Sequence, residues 1–363
     1  MRVLFAGGGT GGHINPAISV ADYLRKRNDN FEALFVGTKR GLETRLVPSA
    51  GYDIKYIDIR GFDRKKLWKN VSVAAKLVKS NIDSVKIIKE FKPDVCVLTG
   101  GYVSGPVALA AKKCGIPAII HEQNVYPGLT VKGAAKYVDY VAVSFEETVN
   151  HIKEKDKCVV TGNPVREELL SADREKCREK LGISDDETFV LVFGGSLGAE
   201  SLNKALVGAL PLIKNEKIRV LFGTGDKHYK SVCDALGEMP SNITVTPYIN
   251  NMAEVMAAAD LAVTRSGAIT VSELACMAKP AVLVPSPFVV RNHQEQNAHE
   301  FEVANAAIMI KESELSPEKL ADTITALAED KEKLREMSEN MSKMAYCDAL
   351  ERIAELVDKM MRG

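Results

Sequence analysis

Two glycine-rich turns and a few short polar clusters carry the residues with chemistry to offer. Gly7-Gly8-Gly9-Thr10-Gly11-Gly12 satisfies G-x-G-x-x-G at Gly7, Gly9 and Gly12, and His13 follows at once. Between a strand and a helix, such a turn lets backbone amides approach a negative charge at the helix N-terminus. His13 then stands at the mouth of that helix, where a neutral imidazole can take a proton from a hydroxyl. The competing reading is a histidine that only caps the helix or holds the loop.

A second set lies in the other half of the chain. Arg265-Ser266-Gly267-Ala268-Ile269-Thr270-Val271-Ser272-Glu273 reads as strand end, glycine turn and helix start, a seat for a diphosphate. Glu273 can accept two hydrogen bonds from a vicinal diol, as acidic residues do with ribose. The alternative for it is compensation of the helix dipole. Arg291-Asn292-His293-Gln294-Glu295-Gln296-Asn297 suits sugar hydroxyls or, more plainly, forms a polar helix face. Thr99-Gly100-Gly101-Tyr102-Val103-Ser104-Gly105-Pro106 and His121-Glu122-Gln123-Asn124 again put polar groups at strand ends, the edge where open α/β sheets bind ligands.

The elements that must position these groups follow from the pattern. Strands are predicted at 2–6, 32–36, 94–98, 118–121 and 140–143, with a helix from Pro16 to Arg27 between the first two. The same grammar restarts with strands at 189–193, 219–222, 244–246, 261–264 and 281–284. Val3-Leu4-Phe5-Ala6-Gly7-Gly8 is echoed by Val190-Leu191-Val192-Phe193-Gly194-Gly195. Short apolar runs alternating with helices imply βαβ units and parallel sheets. The fold class is therefore α/β, with two doubly wound halves and a hinge in Thr161-Gly162-Asn163-Pro164-Val165-Arg166. The last fifty residues read as helices.

Composition narrows the function classes. The 363 residues suit two domains, and 48 Lys and Arg balance 48 Asp and Glu, which argues against a globally basic nucleic-acid binder. Hydrophobic residues at 46% and charged residues at 26% are ordinary for a folded chain. No apolar run approaches the roughly twenty residues of a membrane span. The apolar stretch at Val3–Ala6 is too short for a signal-peptide core, so a cytosolic location is expected. Seven cysteines occur singly, without a C-x-x-C pair, and look like reduced thiols. A dinucleotide enzyme would want an acidic residue at the end of the second strand. Val36-Gly37-Thr38-Lys39-Arg40 stands there instead, leaving an NADP-type site as one alternative for the first glycine loop.

Taken together, these stretches closely resemble the MurG family, bacterial transferases that convert lipid I to lipid II in peptidoglycan synthesis. The resemblance runs nearly end to end, through Gly8–His13 with Pro16, Gly100–Pro106, His121–Asn124, Gly162–Arg166, Gly194-Gly195-Ser196 and Arg265–Glu273. It implies a GT-B fold, two Rossmann-like domains facing across a cleft. The N-terminal acceptor domain would be 1–162, with the C-terminal helix 345–363 returning to it, and the nucleotide-sugar domain 163–344. The reaction implied is transfer of N-acetylglucosamine, with inversion, from UDP-N-acetylglucosamine to the C4 hydroxyl of the muramyl sugar of lipid I. Another GT-B enzyme acting on a glycolipid or small acceptor is the alternative.

Carried over by motif position, the donor site would use Arg166, Ser196, Ile249, Ala268, Ile269, Thr270, Val271, Ser272, Glu273 on the ribose and Gln294 on the sugar. Thr10, Gly11, Gly12 and Asn124 would meet the donor from the other domain. The resemblance makes His13 the candidate base, or a group that positions the acceptor. Leu197 stands where many relatives have Gln, and His293-Gln294 where some have two glutamines. No D-x-D occurs, so no resident metal or cofactor is expected, with helix amides and Arg166 on the diphosphate.

The family works at the cytoplasmic face of the cell membrane as a peripheral enzyme, and the chain has one stretch suited to that. Residues 60–92 contain ten Lys or Arg against three acids, with Trp68, the only tryptophan, among them. Leu67, Val71, Ala74, Val78, Ile82, Val85 and Ile88 recur at helical spacing, and this stripe is expected to be core. The basic residues around it would then attract anionic inner-leaflet lipids. Cell-wall synthesis proteins are possible partners by the same resemblance, and nucleic acid is not.

Overall fold

The computed structural model describes residues 1–59, 70–195 and 199–362, with side chains described from Lys76 in the helix that opens at Asn70. The chain forms two compact units, Met1–Pro164 with Cys347–Gly363, and Val165–Tyr346.

The first unit is a seven-stranded parallel sheet of β1 (Arg2–Gly7), β2 (Glu32–Gly37), β3 (Asp53–Tyr56), β4 (Val95–Gly100), β5 (Ala118–Glu122), β6 (Tyr140–Val143) and β7 (Cys158–Val160). Their order is β3-β2-β1-β4-β5-β6-β7. Helices Gly11–Arg27, Glu43–Ser49, Asn70–Phe91, Gly101–Cys114 and Leu129–Ala134 connect them. Because helices cover both faces, the central strands are continuous apolar runs; Val3, Leu4, Phe5 and Ala6 are all fully buried. The final helix, Ala349–Arg362, belongs to this unit. Its Ile353, Ala354 and Val357 pack into the cluster of Ile14, Ala17, Val20 and Ala21.

The second unit has six parallel strands, β8 (Thr188–Phe193), β9 (Ile218–Gly223), β10 (Ile243–Thr246), β11 (Leu261–Thr264), β12 (Ala281–Leu283) and β13 (Ala307–Met309), in the order β10-β9-β8-β11-β12-β13. Val190, Val192, Leu202, Leu206 and Phe222 centre its core. The sequence echo has a structural meaning. β1 and β8 are the strands at which each sheet reverses its winding, and each ends in a glycine turn there. In such sheets the reversal opens the crevice that holds ligands.

The apolar stripe of the Asn70–Phe91 helix holds at its C-terminal end, where Ile88 is buried and Val85 packs against the core, and departs from expectation before it. Val78 is 63% and Ile82 64% exposed, and Leu77 is exposed as well. The buried positions are Ser80, Ser84, Ile87 and Ile88, of which the expected stripe contained only Ile88. The serine hydroxyls are satisfied within the helix, Ser80 Oγ on Leu77 O and Ser84 Oγ on Ser80 O, so two small residues can share the buried face with Ile87 and Ile88 while Val78 and Ile82 turn outward. Leu67, Trp68 and the basic residues at 60–69 lie outside the described residues, as do the side chains of Val71 and Ala74.

Candidate functional site

In the first unit the two loops at the reversal point are built against each other. Gly7 pairs with Gly100 where the register of β1 and β4 shifts. Gly101 has φ +75°, and a Cβ there would lie 2.3 Å from Gly8 O. A methyl group at Gly100, φ +98°, would lie 2.8 Å from His13 Nδ1. Glycine is thus required twice over, by backbone conformation and by the imidazole that occupies the space. Thr99 Oγ1 donates to His13 O at 2.6 Å and ties the helix start to β4.

Thr10, Gly11, Gly12 and His13 form the entry of the Gly11–Arg27 helix. Thr10 O accepts from His13 N and Ile14 N, and Thr10 and Gly12 are exposed. His13 is half-buried, with Nδ1 3.0 Å from Gln123 Oε1. Beneath the loop sits Glu43, fully buried, whose carboxylate accepts from Gly9 N, Thr38 N and Thr38 Oγ1. Burial pushes its pKa up, but the bonds from Gly9 and Thr38 outweigh that and hold it below the ordinary value. This argues against the NADP-type alternative. The amide of the second fingerprint glycine already holds a fixed negative charge, which would repel a pyrophosphate.

The His121–Asn124 cluster closes the same end of the sheet. His121 Nε2 donates to Gly162 O at 2.9 Å, and Gln123 Nε2 lies 2.9 Å from His121 Nδ1 and 3.0 Å from Thr99 O. Glu122 accepts from Asn124 N and Nδ2 and from Gly128 N. Burial raises its pKa despite those bonds. Asn124 is half-buried beside it, and Asn163 Nδ2 donates to Gln123 O from the turn that ends the sheet.

In the second unit a cavity of about 740 Å³ opens at the reversal point between β8 and β11. Gly194, Gly195, Lys204, Thr264, Arg265, Thr270 and Gln294 are among its walls. That volume is within the range of small-ligand sites. Gln294 is fixed from both ends: its Oε1 accepts from Ser286 N, and its backbone oxygen accepts from Ser266 Oγ. Arg265 is anchored by Val284 O, Pro285 O, Ser201 Oγ and the Glu312 carboxylate.

The helix Ala268–Cys276 presents its first-turn amides beside this cavity, with Thr270 in the wall. Ile269 and Ser272 are half-buried on the same helix. Val271 differs from the rest of the segment. It is fully buried and its amide bonds Gly267 O, so it shapes the turn and offers a ligand neither side chain nor N–H. Glu273 lies in the second turn, past the reach of a dipole-compensating residue, and Arg166 Nε donates to its Oε1 at 2.8 Å. Burial raises the Glu273 pKa, and Arg166 only partly offsets it. Ile249 is buried against Gly223, where a Cβ would meet its Cδ1 at 2.8 Å. Ser196, like Leu197, lies outside the described residues.

Three contributors escaped the sequence reading. Glu43 left no signal but its distance from the glycines, since nothing in E-T-R-L marks a loop anchor. Thr264 ends a strand and looks like core. Its Oγ1 is nonetheless buried in the cavity wall without a protein partner among the described residues. Gln123 was visible only as part of a polar cluster, and its link to His13 spans 110 positions.

The glycosyltransferase family 28 N-terminal domain matches residues 3–143, and the C-terminal domain of the same family matches residues 189–353. The UDP-N-acetylglucosamine--N-acetylmuramyl-(pentapeptide) pyrophosphoryl-undecaprenol N-acetylglucosamine transferase of Acetivibrio thermocellus is 45% identical over 368 residues, covering 100% of this chain and 99% of that one. The crystal structure of Acinetobacter baumannii MurG is 30% identical and covers 99% of both chains at a TM-score of 0.82. The calicheamicin glycosyltransferase CalG4 shares the fold alone, with a TM-score of 0.72 at 16% identity over 99% of this chain and 98% of that one.

Proposed function

The chain belongs to the MurG group of glycosyltransferase family 28, with a GT-B fold, and is a UDP-N-acetylglucosamine-dependent transferase that makes lipid II from lipid I; from that membership we propose how its residues divide the work. The unit of Met1–Pro164 with Cys347–Gly363 takes the acceptor, and Val165–Tyr346 takes the donor. His13 accepts the proton of the muramyl C4 hydroxyl through Nε2. The hydroxyl oxygen bonds to the anomeric carbon of N-acetylglucosamine from the face opposite the nucleotide, the carbon–phosphate oxygen bond breaks, and UDP leaves with the electron pair.

The donor unit stabilises that leaving charge. The start of the Ala268–Cys276 helix, Ala268, Ile269 and Thr270, with Ser196 and Arg166, is assigned to the diphosphate, where positioned N–H groups gain most as charge develops. Glu273 takes the ribose diol, Gln294 the sugar, and Ile249 and Ser272 complete the pocket. Thr10, Gly11, Gly12 and Asn124 are assigned to the donor as well. The observation that carries this division is that both polar clusters sit at sheet reversal points, an imidazole in one unit and an open cavity with a buried carboxylate close by in sequence in the other. Calorimetric titration with UDP-N-acetylglucosamine tests it: Glu273→Ala and Gln294→Ala should weaken binding about tenfold or more, and His13→Ala should leave it unchanged.

Among the described residues no helix is long and apolar enough to cross a membrane. Attachment to the cytoplasmic face is assigned to the outer face of the Asn70–Phe91 helix. There Leu77, Val78 and Ile82 stand exposed beside Lys79, Lys86 and Lys89. Apolar side chains inserting at the headgroup level, with lysines drawn to anionic lipid, are the two terms that hold an interfacial helix.

A further inference from the structure

We propose that Gln123 is a positioning residue that sets the tautomer of His13: a one-way chain of hydrogen bonds, anchored at the Gly162 carbonyl, holds neutral His13 with its proton on Nδ1 and its lone pair on Nε2. The consequence for catalysis rests on the reading of His13 as the base.

The chain is one-way because it starts at a backbone carbonyl, which only accepts. His121 Nε2 is 2.9 Å from Gly162 O and therefore carries a proton. Ser144 Oγ, 3.3 Å from the same nitrogen, gives its own proton to Glu122 O at 2.7 Å and so also faces His121 as an acceptor. His121 is 2% exposed, and burial pulls its pKa down to about 4, so near neutral pH it holds that one proton and leaves Nδ1 bare.

The Gln123 atom 2.9 Å from that bare nitrogen must donate, which makes it the amide NH2. The same NH2 faces Thr99 O at 3.0 Å and His121 O at 3.2 Å. Flipping the amide would set its oxygen against two carbonyls and a lone pair, so the orientation is fixed by chemistry. Gln123 Oε1 is left to face His13 Nδ1 at 3.0 Å, and an oxygen there needs a proton from the ring. Turning the ring over would set Cδ2 against that oxygen and lose the hydrogen bond, so the contact selects the orientation with Nδ1 toward Gln123. Among the described residues no atom of the chain takes Nε2. A neutral acceptor thereby does for His13 what a carboxylate does in the Ser-His-Asp triad, orienting the imidazole.

The test uses the full chain labelled with 15N-histidine. Long-range 1H–15N spectra at pH 8 report the tautomer of each ring, and the His13 signal is the one lost in His13→Gln. Wild-type His13 should show a protonated Nδ1 and an unprotonated Nε2, and Gln123→Met should move it toward the Nε2–H form. A wild-type His13 protonated on Nε2, or a spectrum unchanged by Gln123→Met, overturns the proposal; the wild-type spectrum decides even if the variant does not fold. Kinetics separate the two readings. With His13 as base, Gln123→Met should lower kcat about ten- to a hundredfold, a share of what a general base supplies, and leave the donor KM alone. A tautomer that changes while kcat does not supports the chain of bonds and removes His13 from the role of base.

Discussion

Arg166 Nε lies 2.8 Å from Glu273 Oε1, so two residues assigned to the donor hold each other. The pairing is unequal: the Arg166 side chain is 48% exposed and that of Glu273 is 9% exposed. The guanidinium keeps water contact. The carboxylate stays where the Ala268–Cys276 helix puts it.

Removing the arginine should therefore show a pH signature. Burial raises the pKa of Glu273 above 4.5, and Arg166 opposes this. A carboxyl with a raised folded-state pKa contributes stability that is present below the unfolded value and lost as pH rises through the folded one. Arg166→Ala leaves the carboxylate unpartnered and raises that pKa further. Denaturant melts should find the variant about 1–2 kcal/mol less stable at pH 8, allowing for the exposure of the arginine, and nearly equal to wild type close to pH 4.5.

His121 gives the opposite sign. Its folded pKa of about 4 lies below the ordinary 6.5, so its contribution is present above 6.5 and lost as pH falls toward 4. At about 1.4 kcal/mol per pH unit, a single proton costs about 3 kcal/mol across that window. Folded His121→Asn should lose less stability than wild type between pH 6.5 and 4, by up to that amount, in melts at matched ionic strength.

Gly100→Ala tests the seat of the imidazole. The methyl would sit 2.8 Å from His13 Nδ1 on a backbone at φ +98°, a conformation costing about 1–3 kcal/mol for a side chain. Stability should fall by that amount. Transfer should fall further, because the ring must move, while donor affinity measured by calorimetry stays at the wild-type value.

The exposed face of the Asn70–Phe91 helix predicts a separation of binding from chemistry. Val78→Glu with Ile82→Glu should weaken sedimentation with anionic vesicles at least tenfold and leave thermal stability within about 0.5 kcal/mol, as expected for exposed sites. Charge reversal at Lys65, Lys66 and Lys69 should act in the same direction and become weaker as salt is raised. Use of a water-soluble acceptor should be unaffected by either set.

The central strands were legible because a doubly covered sheet needs unbroken apolar runs, and both glycine turns announced themselves by position. The edges were not. β3, Asp53–Tyr56, is four residues with two charged, and β13, Ala307–Met309, is three residues long, so neither has enough pattern to stand out. The stripe at Val78 and Ile82 misled for a related reason. Helical spacing shows that a face exists but not whether a core or a membrane covers it, and here Ser80 and Ser84 took the inside. At the site, motif residues such as His13, Arg166, Glu273 and Gln294 could be picked out singly. Gln123, the partner of His13, and Glu43, the partner of Gly9, depend on contacts 110 and 34 positions away, which no local pattern encodes.

The division of labour between the units is tested most directly by transfer of labelled N-acetylglucosamine from UDP-N-acetylglucosamine to a lipid I analogue, comparing wild type, His13→Ala and Glu273→Ala, each first shown to be folded. The account predicts that His13→Ala lowers kcat about 10²- to 10⁴-fold with the donor KM unchanged, and that Glu273→Ala raises the donor KM about tenfold or more. A His13→Ala enzyme that keeps its kcat, or a Glu273→Ala enzyme that keeps its donor KM, would contradict it.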